Sequence, residues 1–277
     1  MKKLFFLSFL PIIASTSYCL DETIYMHAHR GESSLAPENT VESIKLAFEL
    51  GARMIETDFI MTKSGTIICI HNRKELLSVW GIDKDPADLT DEEIANARLA
   101  HPEKYDKKYA NCRIPTIDEM FAAIPKDKSF ELEIKSGYSD KFADMVEAAR
   151  IKAGLDYKNI LVTCFSSDVI KKFKKRYPLY ETLYIVSLNK KKIENPDDLV
   201  KIAKNAGASQ VAFGNYRLID RAFVKKFQDA GLKVGVWQVN SLSDLVYAKK
   251  LGVNRICSDY ASRIRDEYNT IKATTLK

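Results

Sequence analysis

A chain of 277 residues, 46% hydrophobic and 29% charged, has the make-up of a folded globular protein rather than a disordered or fibrous one, and can form one large domain. The net charge of +6 is mild, and the basic clusters at 171–176 and 190–192 lack interleaved glycines or stacking aromatics. That points away from nucleic acid as a partner and leaves room for a transient contact with an anionic membrane surface.

In chain order the first element is a leader. Lys2 and Lys3 precede an apolar run over 4–14, followed by small and polar residues up to Cys19. This is the layout of a secretory signal peptide, too short for a membrane span. Residues 1–19 are therefore read as a signal peptide cut after Cys19, and the mature chain, 20–277, as secreted or periplasmic. Lipidation of Cys19 is disfavoured by Tyr18, where a small residue is wanted. Of the other cysteines, Cys69, Cys164 and Cys257 lie in apolar runs and read as buried small hydrophobes, while Cys112 falls in a polar loop.

Beyond the leader, short apolar segments alternate with amphipathic ones of helix length. Strands are expected over 24–29, 53–58, 66–71, 129–135, 160–164, 182–187, 210–213, 233–237 and 255–257. Helices are expected over 40–50, 140–152, 168–176, 197–205, 220–230 and 243–251. Such alternation calls for a parallel sheet, and so many repeats in one domain favour closure into a TIM-type (β/α)8 barrel. The segment at 66–71 follows 53–58 too closely for a crossover helix, so it should return antiparallel as a hairpin. A turn centred on Lys63 and Ser64 would set His71 opposite Glu56. Residues 72–116 break the repeat, with one helical patch at 90–99, and read as a small inserted cap over one barrel mouth.

Four clusters carry charge where a barrel keeps its chemistry, at the C-terminal ends of strands. His29-Arg30-Gly31 ends the first strand, with His27 one layer deeper on the same face. Glu56 and Asp58 share a face of the second, because side chains alternate along a strand. Glu131, Glu133 and Lys135 share a face of the next, a costly inward set unless something charged sits there. His71 arrives on the hairpin. A hard divalent cation, Ca²⁺ or Mg²⁺, would suit Glu56, Asp58 and Glu133. Arg30 and Lys135 would help to neutralise a phosphate, and His29 and His71 could act as base and acid on opposite sides of phosphorus. Each signal alone is equally compatible with satisfied ion pairs; together they suit phosphoryl transfer.

The run from His29 to His71, HRGESSLAPENTVESIKLAFELGARMIETDFIMTKSGTIICIH, closely resembles the glycerophosphodiester phosphodiesterase family. The opening HRG, the Pro37-Glu38-Asn39-Thr40 block, the Glu-x-Asp strand and the Thr-Lys-x-Gly turn come in the family's order. So do Arg113-Ile114-Pro115-Thr116, the strand from Glu131 to Lys135, Val236-Trp237-Gln238-Val239-Asn240 and the closing Ser258-Asp259. The resemblance implies catalytic His29 and His71, metal ligands Glu56, Asp58 and Glu133, and phosphate contacts from Arg30 and Lys135. Trp237 would line the substrate mouth, and Asn39 would brace the first loop. It further implies hydrolysis of a small glycerophosphodiester, such as glycerophosphocholine or glycerophosphoethanolamine, to sn-glycerol 3-phosphate and an alcohol through a cyclic phosphate.

One position departs from the family, which usually has Asp after the second His where this chain has Asn72. An amide can orient an imidazole but cannot raise its pKa as a carboxylate would. Two other functions share part of the pattern: a phospholipase D-like lipid phosphodiesterase of the sphingomyelinase D type, and a secreted barrel that binds without turnover. The Glu133-x-Lys135 strand and the long insertion fit the glycerophosphodiesterase better, and Asn72 is the sole support for the silent barrel. No residue pattern speaks to oligomeric state.

Overall fold

The computed structural model describes residues 19–21, 24–190 and 195–275. The leader lies outside the described residues except for Cys19, as do Lys191 and Lys192 of the second basic cluster. The strands are β1 (Cys19–Asp21), β2 (Ile24–His29), β3 (Met54–Met61), β4 (Ile67–Cys69), β5 (Ser129–Ser136), β6 (Ile160–Cys164), β7 (Glu181–Ser187), β8 (Gln210–Gly214), β9 (Lys233–Trp237) and β10 (Arg255–Ser258). Eight of them, in the order β2-β10-β9-β8-β7-β6-β5-β3, run parallel, and β3 pairs back onto β2 to close the expected barrel. β1 and β4 are antiparallel additions on β2 and β3. β1 takes the start of β2 at Tyr25, whereas β3 takes its end at Ala28 and His29.

The helices are α1 (Val41–Glu49), α2 (Arg73–Trp80), α3 (Asp91–Asn96), α4 (Ile117–Ala122), α5 (Asp140–Ala153), α6 (Ser167–Arg176), α7 (Pro196–Asn205), α8 (Arg221–Asp229), α9 (Leu242–Leu251) and α10 (Ala261–Thr275). Most of the core lies between the outward faces of the strands and these helices. In β5, Phe130, Leu132 and Ile134 point that way and pack with Met120, Phe121 and Phe142 of α4 and α5. Three helices escape periodicity. α2 and α4 span 8 and 6 residues, and are declared by Asn72 and Thr116 as caps rather than by an apolar stripe. α10 is the third, closing the chain against β2.

The hairpin forms, but in a register one residue away from the expected one. Phe59, Ile60 and Met61 pair with Cys69, Ile68 and Ile67, and Ile70 N donates to Asp58 O at 3.0 Å. Continued, this places His71 opposite Thr57 and not Glu56. The cause is the turn. Thr62 N donates to Thr66 O at 2.9 Å around a three-residue loop that ends on Gly65, whose φ of +94° suits the left-handed close. His71 still reaches the barrel mouth, because the ladder ends at Cys69 and the chain leaves the pleat toward α2.

The inserted segment builds a cluster of its own. Leu76, Val79, Trp80, Leu89, Ile94, Tyr109 and Ile114 pack with Ile60, Ile68 and Ile70 of the hairpin arm. Cys112, expected in a polar loop, is buried in the same cluster, while Cys257 is only partly buried.

Candidate active site

The barrel interior is stacked in two charged layers. In the lower one, Glu131 accepts from Arg255 Nη2 and from His27 Nδ1, the latter at 3.0 Å, and Arg255 Nη1 donates to Gln210 Oε1 at 3.0 Å. The inward acid on β5 is thus matched by a cation from β10. Burial, then the Arg255 charge, lower His27 to about 4, so the ring is neutral at pH 7.

The upper layer follows from strand register. His29 pairs with Glu56, Glu56 with Glu131 and Asp58 with Glu133, so alternation aligns these side chains on the inward face. Glu56, Asp58 and Glu133 are buried, and each offers an oxygen within 4.8 Å of the other two. Glu56 Oε1 and Asp58 Oδ1 have no hydrogen-bond partner, and Glu133 Oε1 lies 2.6 Å from Lys135 Nζ. Burial, then the neighbouring Asp58 charge, raise Glu56 well above the ordinary carboxylate range and Glu133 to about 8. Burial also opposes ionisation of Asp58, but Arg30 and Lys135 overcome it and hold Asp58 low. Lys135, 3.6 Å from Asp58 Oδ1, and Arg30 offset part of this crowded negative charge, and three oxygen donors placed so could hold a divalent ion.

The flanking residues are held from several directions. Arg30, at φ +56°, donates Nη1 to Glu38 at 2.7 Å, and its Nε lies 3.2 Å from Asp58 Oδ2. Asn39 proves more than a loop brace: its Nδ2 donates to Asp58 at 3.0 Å and to Glu75 at 2.9 Å, while its Oδ1 accepts from Asp58 N. His71 N donates to Glu75 Oε2 at 2.8 Å, and His71 Nδ1 lies 2.6 Å from Asn72 Nδ2. Burial lowers His71 to about 4; Asp58 opposes this while Arg30, Lys135 and His29 assist it. Trp237 stands edge-on to Phe165 with ring centres 5.8 Å apart, over Gly214, where an added Cβ would meet the indole at 2.6 Å.

One pocket is lined by His29, Arg30, Glu56, His71, Glu133, Lys135 and Trp237, and Asp58 completes the carboxylate trio beside them. The residues expected to serve as acid–base groups, metal ligands and substrate contacts are therefore in one place, while His27 lies a layer below and lines the opposite end of the barrel. Residues 72–116 contribute none of the lining of the His29 pocket. A larger cavity opens at the opposite end of the barrel, but its lysines are matched by acids, Lys158 by Asp156 at 3.4 Å and Lys233 by Glu181 at 3.5 Å.

Sequence reasoning missed the support around these groups. His29 Nδ1 donates to Asp259 Oδ1, and Asn240 Nδ2 donates to Asp259 Oδ2 at 2.6 Å. The Gln238 amide sits 3.0 Å from the same ring nitrogen. Asp259 directly follows the last barrel strand, a position that could have marked it. Glu75 carried no comparable signal.

The profile of the Glycerophosphoryl diester phosphodiesterase family matches residues 29–263. The chain belongs to this family. As a glycerophosphodiester phosphodiesterase it hydrolyses glycerophosphodiesters. A glycerophosphodiester phosphodiesterase of Bacillus subtilis is 25% identical over 246 residues, covering 84% of this chain and 82% of that one. One from Caldanaerobacter subterraneus subsp. tengcongensis is 36% identical over 155 residues, covering 54% and 62%. Among solved structures, a phosphodiesterase of Oleispira antarctica in complex with the product sn-glycerol-3-phosphate has a TM-score of 0.71 at 21% identity, over 88% of this chain and 96% of that one. That likeness and the one to the Thermotoga maritima enzyme, TM-score 0.69 at 20% identity over 91% and 99%, show the shared barrel.

Proposed function

We propose that the phosphodiesterase works through His29 and His71 with a divalent cation, Ca²⁺ or Mg²⁺, held by Glu56, Asp58 and Glu133. Its substrates would be glycerophosphodiesters such as glycerophosphocholine or glycerophosphoethanolamine, released as sn-glycerol 3-phosphate and an alcohol. The observation that supports this most is the pair of buried carboxylate oxygens, Glu56 Oε1 and Asp58 Oδ1, left without hydrogen-bond partners within a trio close enough to share one ion. When bound there, a cation would supply positive charge to the phosphate oxygens.

The chain's own residues supply the rest. Arg30 and Lys135 bring cations to the same pocket and orient the phosphodiester. A neighbouring glycerol hydroxyl attacks phosphorus as its proton passes to one histidine; the other gives a proton to the oxygen of the departing alcohol. Water then opens the cyclic phosphate. Trp237 and Phe165 wall the mouth where the alcohol leaves.

The test is a coupled assay for glycerol 3-phosphate from glycerophosphocholine, on the mature chain, with EDTA and with added Ca²⁺ or Mg²⁺. Turnover that stops with EDTA, returns with the cation and is absent in His29→Ala is the expected result. Silence with both cations and with glycerophosphoethanolamine would overturn it in favour of a lipid substrate or a binding barrel. Residues 1–19 we read as a cleaved leader to the periplasm or exterior. N-terminal sequencing of the exported protein should begin at Leu20, and a retained Met1 would sink that reading.

A further inference from the structure

The two histidines differ in what their inner nitrogens meet. His29 Nδ1 faces a carboxylate oxygen of Asp259, which can only accept, whereas His71 Nδ1 faces Asn72 at 2.6 Å. Which end of the Asn72 amide meets the ring is decided by the helix it begins. Asn72 is the N-cap of α2, and its Oδ1 accepts from Glu75 N at 3.0 Å. Turned over, the amide would set its NH₂ against the Glu75 N–H, donor against donor, and leave the first turn uncapped. The helix start is tied down a second time, because Glu75 Oε2 takes the His71 backbone N–H. Asn72 therefore has only its Nδ2–H left to offer the imidazole, and His71 Nδ1 must accept it. A neutral imidazole carries one proton, so that proton sits on Nε2.

We propose that Asn72 is a positioning residue that locks His71 as the neutral Nε2–H tautomer, so that His71 presents a hydrogen donor, and not a proton acceptor, to the bound phosphodiester. The role of the donor rests on the proposed function above; the tautomer does not. The same amide opposes a doubly protonated ring, since a proton on Nδ1 would point at Nδ2–H. Burial acts in the same sense, as do the charges of Arg30 at the end of β2, Lys135 on β5 and His29, against Asp58 on β3, which favours a second proton. His71 can then give its Nε2 proton to the oxygen of the departing alcohol as charge develops there, and take one back from the water that opens the cyclic phosphate.

A long-range ¹H–¹⁵N correlation spectrum of the full chain with labelled histidine reads the tautomer directly, and His71→Gln assigns the signal. At neutral pH the His71 ring should be neutral with Nε2 protonated. Asn72→Asp keeps an oxygen at the N-cap, which Asp fills as well as Asn, so the melting temperature and circular dichroism should hold. It offers the ring only an acceptor, and should move the proton to Nδ1. In the glycerophosphocholine assay the same variant should lower kcat by about tenfold or more with KM within about threefold, as when an acid–base group is misoriented. A wild-type ring bearing Nδ1–H, or an unchanged tautomer in a folded Asn72→Asp protein, would overturn the inference even if His71→Ala abolishes turnover. A His71→Ala protein with full turnover would instead overturn the catalytic reading, and with it the purpose of the lock.

Discussion

At the scale of single residues, the site is a set of inward side chains whose neighbours decide their charge. His29 and Asp259 stand 230 positions apart in the chain and meet only because β10 pairs with β2. A carboxylate on Nδ1 keeps the proton there and leaves Nε2 directed toward Glu56, 3.7 Å away. Asp259→Asn removes the obligatory acceptor while keeping the shape. Its kcat should fall on the order of 100-fold, the low end of what a misoriented general base costs, with KM little changed. Steady-state kinetics beside an unaltered melting temperature would check this. His29, Glu56, Asp58, Glu133 and Lys135 were legible in the sequence because strand alternation puts each set on one face, and Arg30 because it directly follows a strand end. The role of Asp259 was not, for no spacing that periodicity can register ties it to His29.

At the scale of elements, the turn after β2 depends on how α1 docks. Gly31 sits at φ +79°, and an added Cβ would lie 2.3 Å from Ser43 Oγ and 2.7 Å from Ser43 C in the first turn of α1. Ser43 also accepts from Glu32 N and donates to Arg30 O, so the helix start and the His-Arg-Gly turn form one unit. Gly31→Ala combines a left-handed backbone with a clash against backbone atoms. It should destabilise the protein by about 2 kcal/mol or more, read as a lower midpoint in urea unfolding, and should lower turnover by displacing Arg30. Helices such as α5 and α8 were readable from amphipathic spacing. α2 was not, since its 8 residues are set by the Asn72 cap and by packing on the hairpin.

At the scale of the whole molecule, the lower charged layer links stability to pH. His27 has a folded pKa near 4 against an ordinary 6.5, so the unfolded chain binds more protons between those values. Its contribution is complete above about pH 6.5 and is lost as pH falls toward 4. In protein saturated with cation, which keeps Glu56 and Glu133 ionised, stability should drop by about 2 kcal/mol between pH 7 and pH 5 from this group. His27→Gln should flatten that slope, whatever its absolute stability. Urea midpoints at the two pH values decide it, and equal slopes in the two proteins would show that His27 is not the linked group.

What the sequence determined by itself is whatever local periodicity encodes. The strand and helix alternation implies a closed parallel barrel, and alternation within strands places His29, the acids and Lys135 on its inner face. The tertiary structure alone decided the hairpin register, through the three-residue turn at Gly65. It also decided which partner each histidine meets, Asp259 for His29 and the Asn72 amide for His71. The physical reason is range: a repeat is written in neighbouring residues, whereas a hydrogen-bond partner exists only once distant strand ends and a helix cap have been brought to the same barrel mouth.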